Sequence, residues 1–302
     1  MKLNTHYFYP VILFSESFIL FHTVDKKMQV DGKRIRKIAK NETKLILLRD
    51  EIHNLLLLEK ENIPGIIRII ESGSDFFVMD KAQFTLRQVL QEHSVSDYCF
   101  REILFQVLFT LLKCQEKFPD FRHNDLKADN IVLDDSLHFN KTTFQSREFC
   151  HVETRTHYET KQATTKSRTW ILSKGINTFL IDFEMSTSSQ NENGDTLKSS
   201  AIGMANDSYG LSSVKCDMFD IHLLFFELRS HSKQRQSDWA APFLYLCADF
   251  FADDCFSPPT CTENMRLSLE TQKELLHSRW ANHDNFILRV LCHEYFNHLR
   301  KT

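Results

Sequence analysis

Two short motifs, each flanked by apolar triplets, constrain this chain more than any other feature. The first is Phe121-Arg122-His123-Asn124-Asp125-Leu126-Lys127-Ala128-Asp129-Asn130, which runs straight into Ile131-Val132-Leu133. The second is Phe179-Leu180-Ile181-Asp182-Phe183-Glu184, whose Asp182 lies 52 residues after Asn130. The triplets Ile131-Val132-Leu133 and Phe179-Leu180-Ile181 predict two short buried strands. Such strands would hold the polar groups beside them in fixed positions.

The order of those groups is chemically specific. Asp125 can accept a proton from an attacking hydroxyl, and Lys127, two residues on in extended chain, points the same way and can neutralise a travelling phosphate. Asn130 and Asp182 offer the oxygen ligands that magnesium, or manganese in its place, prefers. A carboxylate, a lysine, an amide and a second carboxylate in this order suit phosphoryl transfer from a metal-bound nucleotide, ATP. Taken alone, either motif also reads as a surface turn or a strand end.

Together these residues resemble the protein kinase superfamily. The chain looks most like the serine/threonine kinases of large nucleocytoplasmic DNA viruses, of the iridovirus and mimivirus types, in which His-Asn-Asp-Leu commonly stands for the His-Arg-Asp-Leu of cellular kinases. The resemblance implies an α+β bilobal fold: a small antiparallel β-sheet lobe with one helix over residues 1–80, and a larger, mainly helical lobe over 81–302. It leaves a single domain with an insertion at about 134–178, a stretch longer than the tight link most kinases use there.

Several further positions follow from that likeness. Around Asp31-Gly32, alternating residues in 11–40 predict antiparallel strands joined by a turn. The phosphate-covering hairpin of kinases carries glycines because the backbone approaches so closely. Here the matching place reads Phe14-Ser15-Glu16-Ser17-Phe18-Ile19-Leu20, and only the small Ser15 and Ser17 partly substitute. The phosphate-contacting lysine falls in Lys33-Arg34-Ile35-Arg36-Lys37-Ile38-Ala39-Lys40, with Lys37 preferred, then Lys40, then Arg36. A solvated basic strand edge is the plain alternative for each of them.

Leu45, Leu48, Ile52, Leu55 and Leu56 predict an amphipathic helix, with Glu51 beside its apolar face where the family's helix glutamate pairs with the lysine. Phe76-Phe77-Val78-Met79-Asp80-Lys81-Ala82 resembles the strand leading into the hinge. Met79 would line the back of the adenine pocket, and the backbone of Asp80 and Ala82 would bond the base. Residues 97–118 predict the long scaffold helix that enters the catalytic loop. Ser186 to Asp195 is polar enough for a flexible activation segment. In Lys215-Cys216-Asp217-Met218-Phe219-Asp220-Ile221-His222, Asp217 is expected to tie the central helix to the catalytic loop. Val290 to Phe296 resembles the last helix, with His293 expected to pack rather than bind metal.

Two departures bear on mechanism. Asn124 stands where many kinases carry an arginine that needs a phosphate on the activation segment, so activity is expected to be independent of such a phosphate. Glu184 replaces a glycine and adds charge beside Asp182.

Composition narrows the remaining classes. At 302 residues and 42% hydrophobic content, the chain can bury a core of the required size. Its 37 basic and 40 acidic residues give a net charge of −3, which argues against nucleic acid or an anionic membrane as partner. The eight cysteines form no CxxC pair, so reduced thiols of a cytoplasmic protein are expected, in a host cell's cytoplasm or packaged in a virion if the source is viral. No apolar run reaches membrane-spanning length, and a signal peptide is disfavoured. Only seven glycines accompany 26 phenylalanines, a bias consistent with an AT-rich viral genome.

The reading is therefore an ATP-dependent serine/threonine protein kinase acting on protein substrates, Lys127 being the mark of serine/threonine specificity within the family. A pseudokinase scaffold is the alternative, favoured by the missing glycines and Glu184. A small-molecule kinase of the aminoglycoside or choline type ranks last, because that group usually has His-Gly-Asp. Oligomeric state is open.

Overall fold

The computed structural model describes residues 26–134, 146–157, 163–173, 177–201, 218–234, 237–251 and 286–299. The first strands, β1 (Lys26–Asp31) and β2 (Arg34–Ala39), join at Gly32, whose φ of +56° suits glycine in a two-residue turn. Strands β3 (Ile69–Ser72) and β4 (Phe76–Asp80) complete an antiparallel sheet of order β1-β2-β4-β3. The register puts Ile35 opposite Met79 and Lys37 opposite Phe77. Ile35, Met79 and Phe77 are all buried, and Lys37 is drawn inside with them.

Helix α1 (Glu42–Lys60) crosses between β2 and β3. Asn41 caps it, its side-chain oxygen accepting from the Lys44 N–H at 2.9 Å. The apolar face differs from the expected one. Leu48 and Leu55 are buried, but Leu47 and Leu58 join them, and Leu56 is 47% exposed. Asp50, Glu51 and Asn54 are buried as well. One side of α1 thus meets apolar residues and the adjoining side meets polar backbone, so hydrophobic spacing alone misplaced the boundary.

A short segment, β5 (Phe84–Thr85) followed by α2 (Leu86–Glu92), leads to α3 (Asp97–Lys117). Thr85 and Gln88 form a reciprocal capping box on α2. Phe100, Ile103, Leu104, Val107, Leu108, Leu111 and Leu112 of α3 are all buried, as expected of a helix surrounded by other elements. Strands β6 (Ile131–Leu133) and β9 (Thr178–Leu180) pair antiparallel, with Ile131 opposite Leu180, and β5 adds on the other side of β6. Gly65, at φ +72°, lets the chain turn tightly enough for its carbonyl to accept from Leu180 at 2.8 Å.

Between β6 and β9, β7 (Ser146–His157) and β8 (Ala163–Ser173) pair into a separate antiparallel sheet. Helices α4 (Phe219–Gln234), α5 (Ala240–Phe250) and α6 (Phe286–Leu291) follow, with a 3₁₀ turn at Glu294–Leu299. Aromatic rings knit them to α3: Phe100 stacks on Trp239 at 4.1 Å, and Phe243 meets both Phe100 and Phe225 edge-on. His293 bonds Asp249 at 2.7 Å and packs beside Phe250. The whole is a mixed α/β arrangement of small antiparallel sheets and several helices, compatible with a bilobal fold.

Candidate active site

The residues from Asp125 to Asn130 fold back on themselves. Asn130 donates from Nδ2 to the Asp125 carbonyl at 2.8 Å and to its Oδ2 at 3.0 Å, while the Lys127 ammonium donates to the same Oδ2 at 2.8 Å. Using its nitrogen on Asp125 turns the Asn130 amide oxygen away from that residue. Burial works against the Lys127 charge, but Asp125 beside it, with Asp182 and Asp129, outweighs the burial and holds its pKa above the usual value. Lys127 is therefore a fixed cation next to the proposed proton acceptor.

Helix α4 grips this loop at both ends. Asp220 accepts from the His123 N–H at 2.7 Å and the Asn124 N–H at 2.9 Å. Seven residues on, two helical turns later and on the same face, Glu227 accepts from the Ala128 N–H at 2.6 Å and pairs with Arg87. Arg87 also reaches Asp129 at 2.7 Å. Burial raises the pKa of both Asp220 and Glu227, opposed at Asp220 by His123 and the two N–H bonds, and at Glu227 by Arg87 and Ala128. Asp217, the residue expected to tie α4 to the loop, lies outside the described residues. Asp220 makes the tie instead: it stands in the first turn of the helix, where its side chain reaches the loop backbone.

Asn124 adopts φ +63°, a conformation asparagine tolerates better than most residues. Its Nδ2 donates to the Met185 carbonyl at 2.8 Å and the Thr187 hydroxyl at 3.1 Å. Arg122 and Thr187 exchange backbone bonds at 2.9 and 3.0 Å. The amide at 124 therefore contacts the chain after Asp182 directly.

A second centre assembles from three segments. Lys37 on β2 pairs with Glu51 on α1 and donates to Asp182 Oδ1 at 2.7 Å. Its side chain is 6% exposed and that of Glu51 is 2% exposed, so the pair is desolvated and depends on mutual contact. Asp182 itself sits at φ +66° just before the 3₁₀ turn Phe183–Met185. Carboxylate oxygens of Glu51, Asp182 and Glu184 all lie within 4.8 Å of one another. The Ile181 N–H donates to the Asn130 carbonyl at 3.1 Å, bringing the ends of β6 and β9, and so Asn130 and Asp182, side by side. Hard oxygen donors of this kind suit a divalent cation such as magnesium.

The remaining candidates fall as follows. Arg36 is exposed, its guanidinium 3.6 Å from the Phe76 ring centre, and Lys40 is exposed, so neither reaches the acidic centre that Lys37 enters. Met79 is 5% exposed behind the sheet. Asp80 ends β4 and Ala82 lies in the crossing to β5, which is fixed by Lys81 N–H to Lys33 at 2.7 Å and Gln83 N–H to Leu133 at 3.1 Å. Ser15 and Ser17 lie outside the described residues.

The segment expected to be flexible is fastened. Ser189 donates to Asp120 at 2.6 Å, Asn191 Oδ1 accepts from Asn193 and Asp195, and Ser188 Oγ accepts from Leu197. Polarity here reflects local and α1-directed hydrogen bonding rather than solvation. Sequence reasoning missed Asn54, Asp50, Arg87 and Glu227. Only Glu227 left a signal, its seven-residue spacing from Asp220.

No protein-family model matches the chain. A 32-residue stretch is 59% identical to a provisionally assigned serine/threonine-protein kinase of Acanthamoeba polyphaga mimivirus. The match spans 11% of this chain and 7% of that relative. It indicates a partial kinase relationship. Among the described residues, no helix is long and apolar enough to cross a membrane.

Proposed function

We propose that the chain is a single-domain, bilobal serine/threonine protein kinase that moves the γ-phosphate of ATP to protein hydroxyls. The observation that carries this reading is convergence: Lys37, Glu51, Asp125, Lys127, Asn130 and Asp182, drawn from β2, α1, the catalytic loop and the end of β9, share two hydrogen-bonded centres. The short match to a mimivirus kinase supports it.

In this reading Asp125 accepts the proton of the attacking hydroxyl, and Lys127, already beside it, balances the phosphate as it passes. Lys37 is held by Glu51 for contact with the α- and β-phosphates. Asn130 and Asp182 would hold magnesium or manganese, which when bound shields triphosphate charge and orients it. The crossing through Asp80 and Ala82 offers backbone groups to the base, with Met79 behind it. β7 and β8 form an insertion outside this machinery.

The test is transfer of radiolabelled γ-phosphate to basic and acidic protein substrates with magnesium or manganese. Asp125→Asn is expected to lower kcat about 10²–10⁴-fold. Background labelling from both proteins would overturn the enzyme reading and favour a pseudokinase scaffold, for which the extra carboxylate of Glu184 beside Asp182 is the specific observation.

A further inference from the structure

Asn54 is fully buried on α1, one turn beyond Glu51, and is a polar residue with no part in the chemistry described above. Its Nδ2 donates to the carbonyls of Phe183 at 2.9 Å, Ser186 at 3.3 Å and Lys198 at 2.9 Å. Its Oδ1 accepts from the Lys198 N–H at 3.0 Å. One side chain thus joins the start of the segment, just after Asp182, to its far end. Around it the contacts continue in order. Glu61 accepts from Asn193 at 3.2 Å, Lys60 pairs with Asp195 at 2.7 Å, His53 bonds the Thr196 carbonyl at 3.2 Å, and Asp50 accepts from the Ser200 N–H at 2.7 Å. The segment runs antiparallel to α1 from its C-terminal end to its middle.

We propose that Asn54 is a positioning residue: it fastens 183–200 along α1 as a built-in strap and thereby holds Glu51 on Lys37 and Asp182 beside them. The physical reason is the cost of release. Moving α1 away from the sheet would break the Lys37 pair and also orphan the buried Asn54 amide and the backbone groups it satisfies. Asp50 and His53 reinforce the strap but are less central, since each meets it at one point.

As a statement about catalysis this rests on the phosphotransfer reading; as a statement about Lys37 it does not, and the experiment separates the two. In the full-length protein, acylation of Lys37 by an amine-reactive ester, followed by peptide mapping, reports whether its ion pair is closed. Asn54→Ala is expected to speed Lys37 acylation about tenfold through loss of buried hydrogen bonds. Lys198→Pro, which deletes the N–H from the strap side and leaves α1 untouched, should act in the same direction and serves if the first variant does not fold. Phosphate transfer gives the second readout: kcat/KM should fall about tenfold in Asn54→Ala but show no further fall when Glu51→Gln is already present. Unchanged Lys37 acylation in the folded variants, or additive losses with Glu51→Gln, would overturn the proposal. Absence of phosphate transfer by the wild type would instead overturn the kinase reading, while Lys37 acylation would still decide the role of Asn54.

Discussion

The Asp125 loop and the Lys37 centre hold their polar groups by opposite means, and the Lys37–Glu51 pair is the more deeply buried. The loop is contiguous, flanked by β6 and fastened through backbone N–H groups to two carboxylates of one helix, Asp220 and Glu227. The Lys37 centre is charge against charge, contributed by β2, α1 and the end of β9, with α1 kept in place by Asn54. The first can keep its geometry as long as α4 is present. The second holds only while three separate segments agree, so it is the part a single substitution should disturb most.

Removing the cation tests this most severely. Lys37→Met leaves Glu51 buried against Asp182 without its counter-charge, and is expected to cost about 3–5 kcal/mol in chemical denaturation. Adding Glu51→Met should return part of that loss, because two apolar side chains replace a desolvated pair. A single-variant cost below that of an ordinary surface change would erase the contrast between the two centres.

On the loop side, Asp220→Asn keeps one acceptor and orphans the other N–H, for an expected loss of about 1–3 kcal/mol in thermal unfolding. Acylation of Lys37 should stay slow in this variant if the centres are held independently. A rise matching that of Asn54→Ala would mean that they form one unit.

A smaller effect is the pH dependence of the grip on Ala128. Burial raises the Glu227 carboxyl above its ordinary 4.5, against the pull of Arg87 and the Ala128 N–H. A carboxyl raised in the fold favours the folded state while protonated. Its contribution is complete below 4.5 and is lost as pH rises through the folded value. Glu227→Gln should remove that slope, so the melting temperature of the wild type should fall relative to that of the variant as pH rises from about 4 to 7. A difference that stays constant, or a wild type that gains on the variant as pH rises, would count against it.

The smallest expected effect is on Cys114, whose thiol burial pushes well above its ordinary range, with Asp220 adding to the shift. Native-state alkylation should leave it unmodified in Asn54→Ala, since opening the strap does not uncover α3. Rapid labelling there would show that the strap supports the helical part too.

Much of this was readable in the residues. Asp125, Lys127 and Asn130 fall within six positions and Ile131-Val132-Leu133 forms the expected buried strand directly after them, whereas the second strand is Thr178–Leu180, one residue earlier than expected, with only Leu180 of its apolar triplet buried. The scaffold helix was equally plain, because a helix buried on nearly every side has a continuous apolar composition. The strap was not. Ser186 to Asp195 has the composition of solvated chain, and only the placement of Asp120, Asn124, Lys60 and Glu61 across from it gives its side chains partners, while Asn54 and Asp50 bind backbone groups of 183–200. The likeness pointed to Asp217, which lies outside the described residues, and Asp220 is the carboxylate that reaches the loop backbone.

The sequence by itself determined the short-range matters: the spacing of Asp125, Lys127 and Asn130 in one loop, the turn at Gly32, and the strand that follows the first motif. Tertiary structure alone decided which of Lys37, Lys40 and Arg36 enters the acidic centre. Alternation on a strand says which residues share a face, but not which of them finds a buried glutamate across the fold. Lys37 is inside because Glu51 and Asp182 meet it there, and both are brought by segments that pack only once the chain has folded.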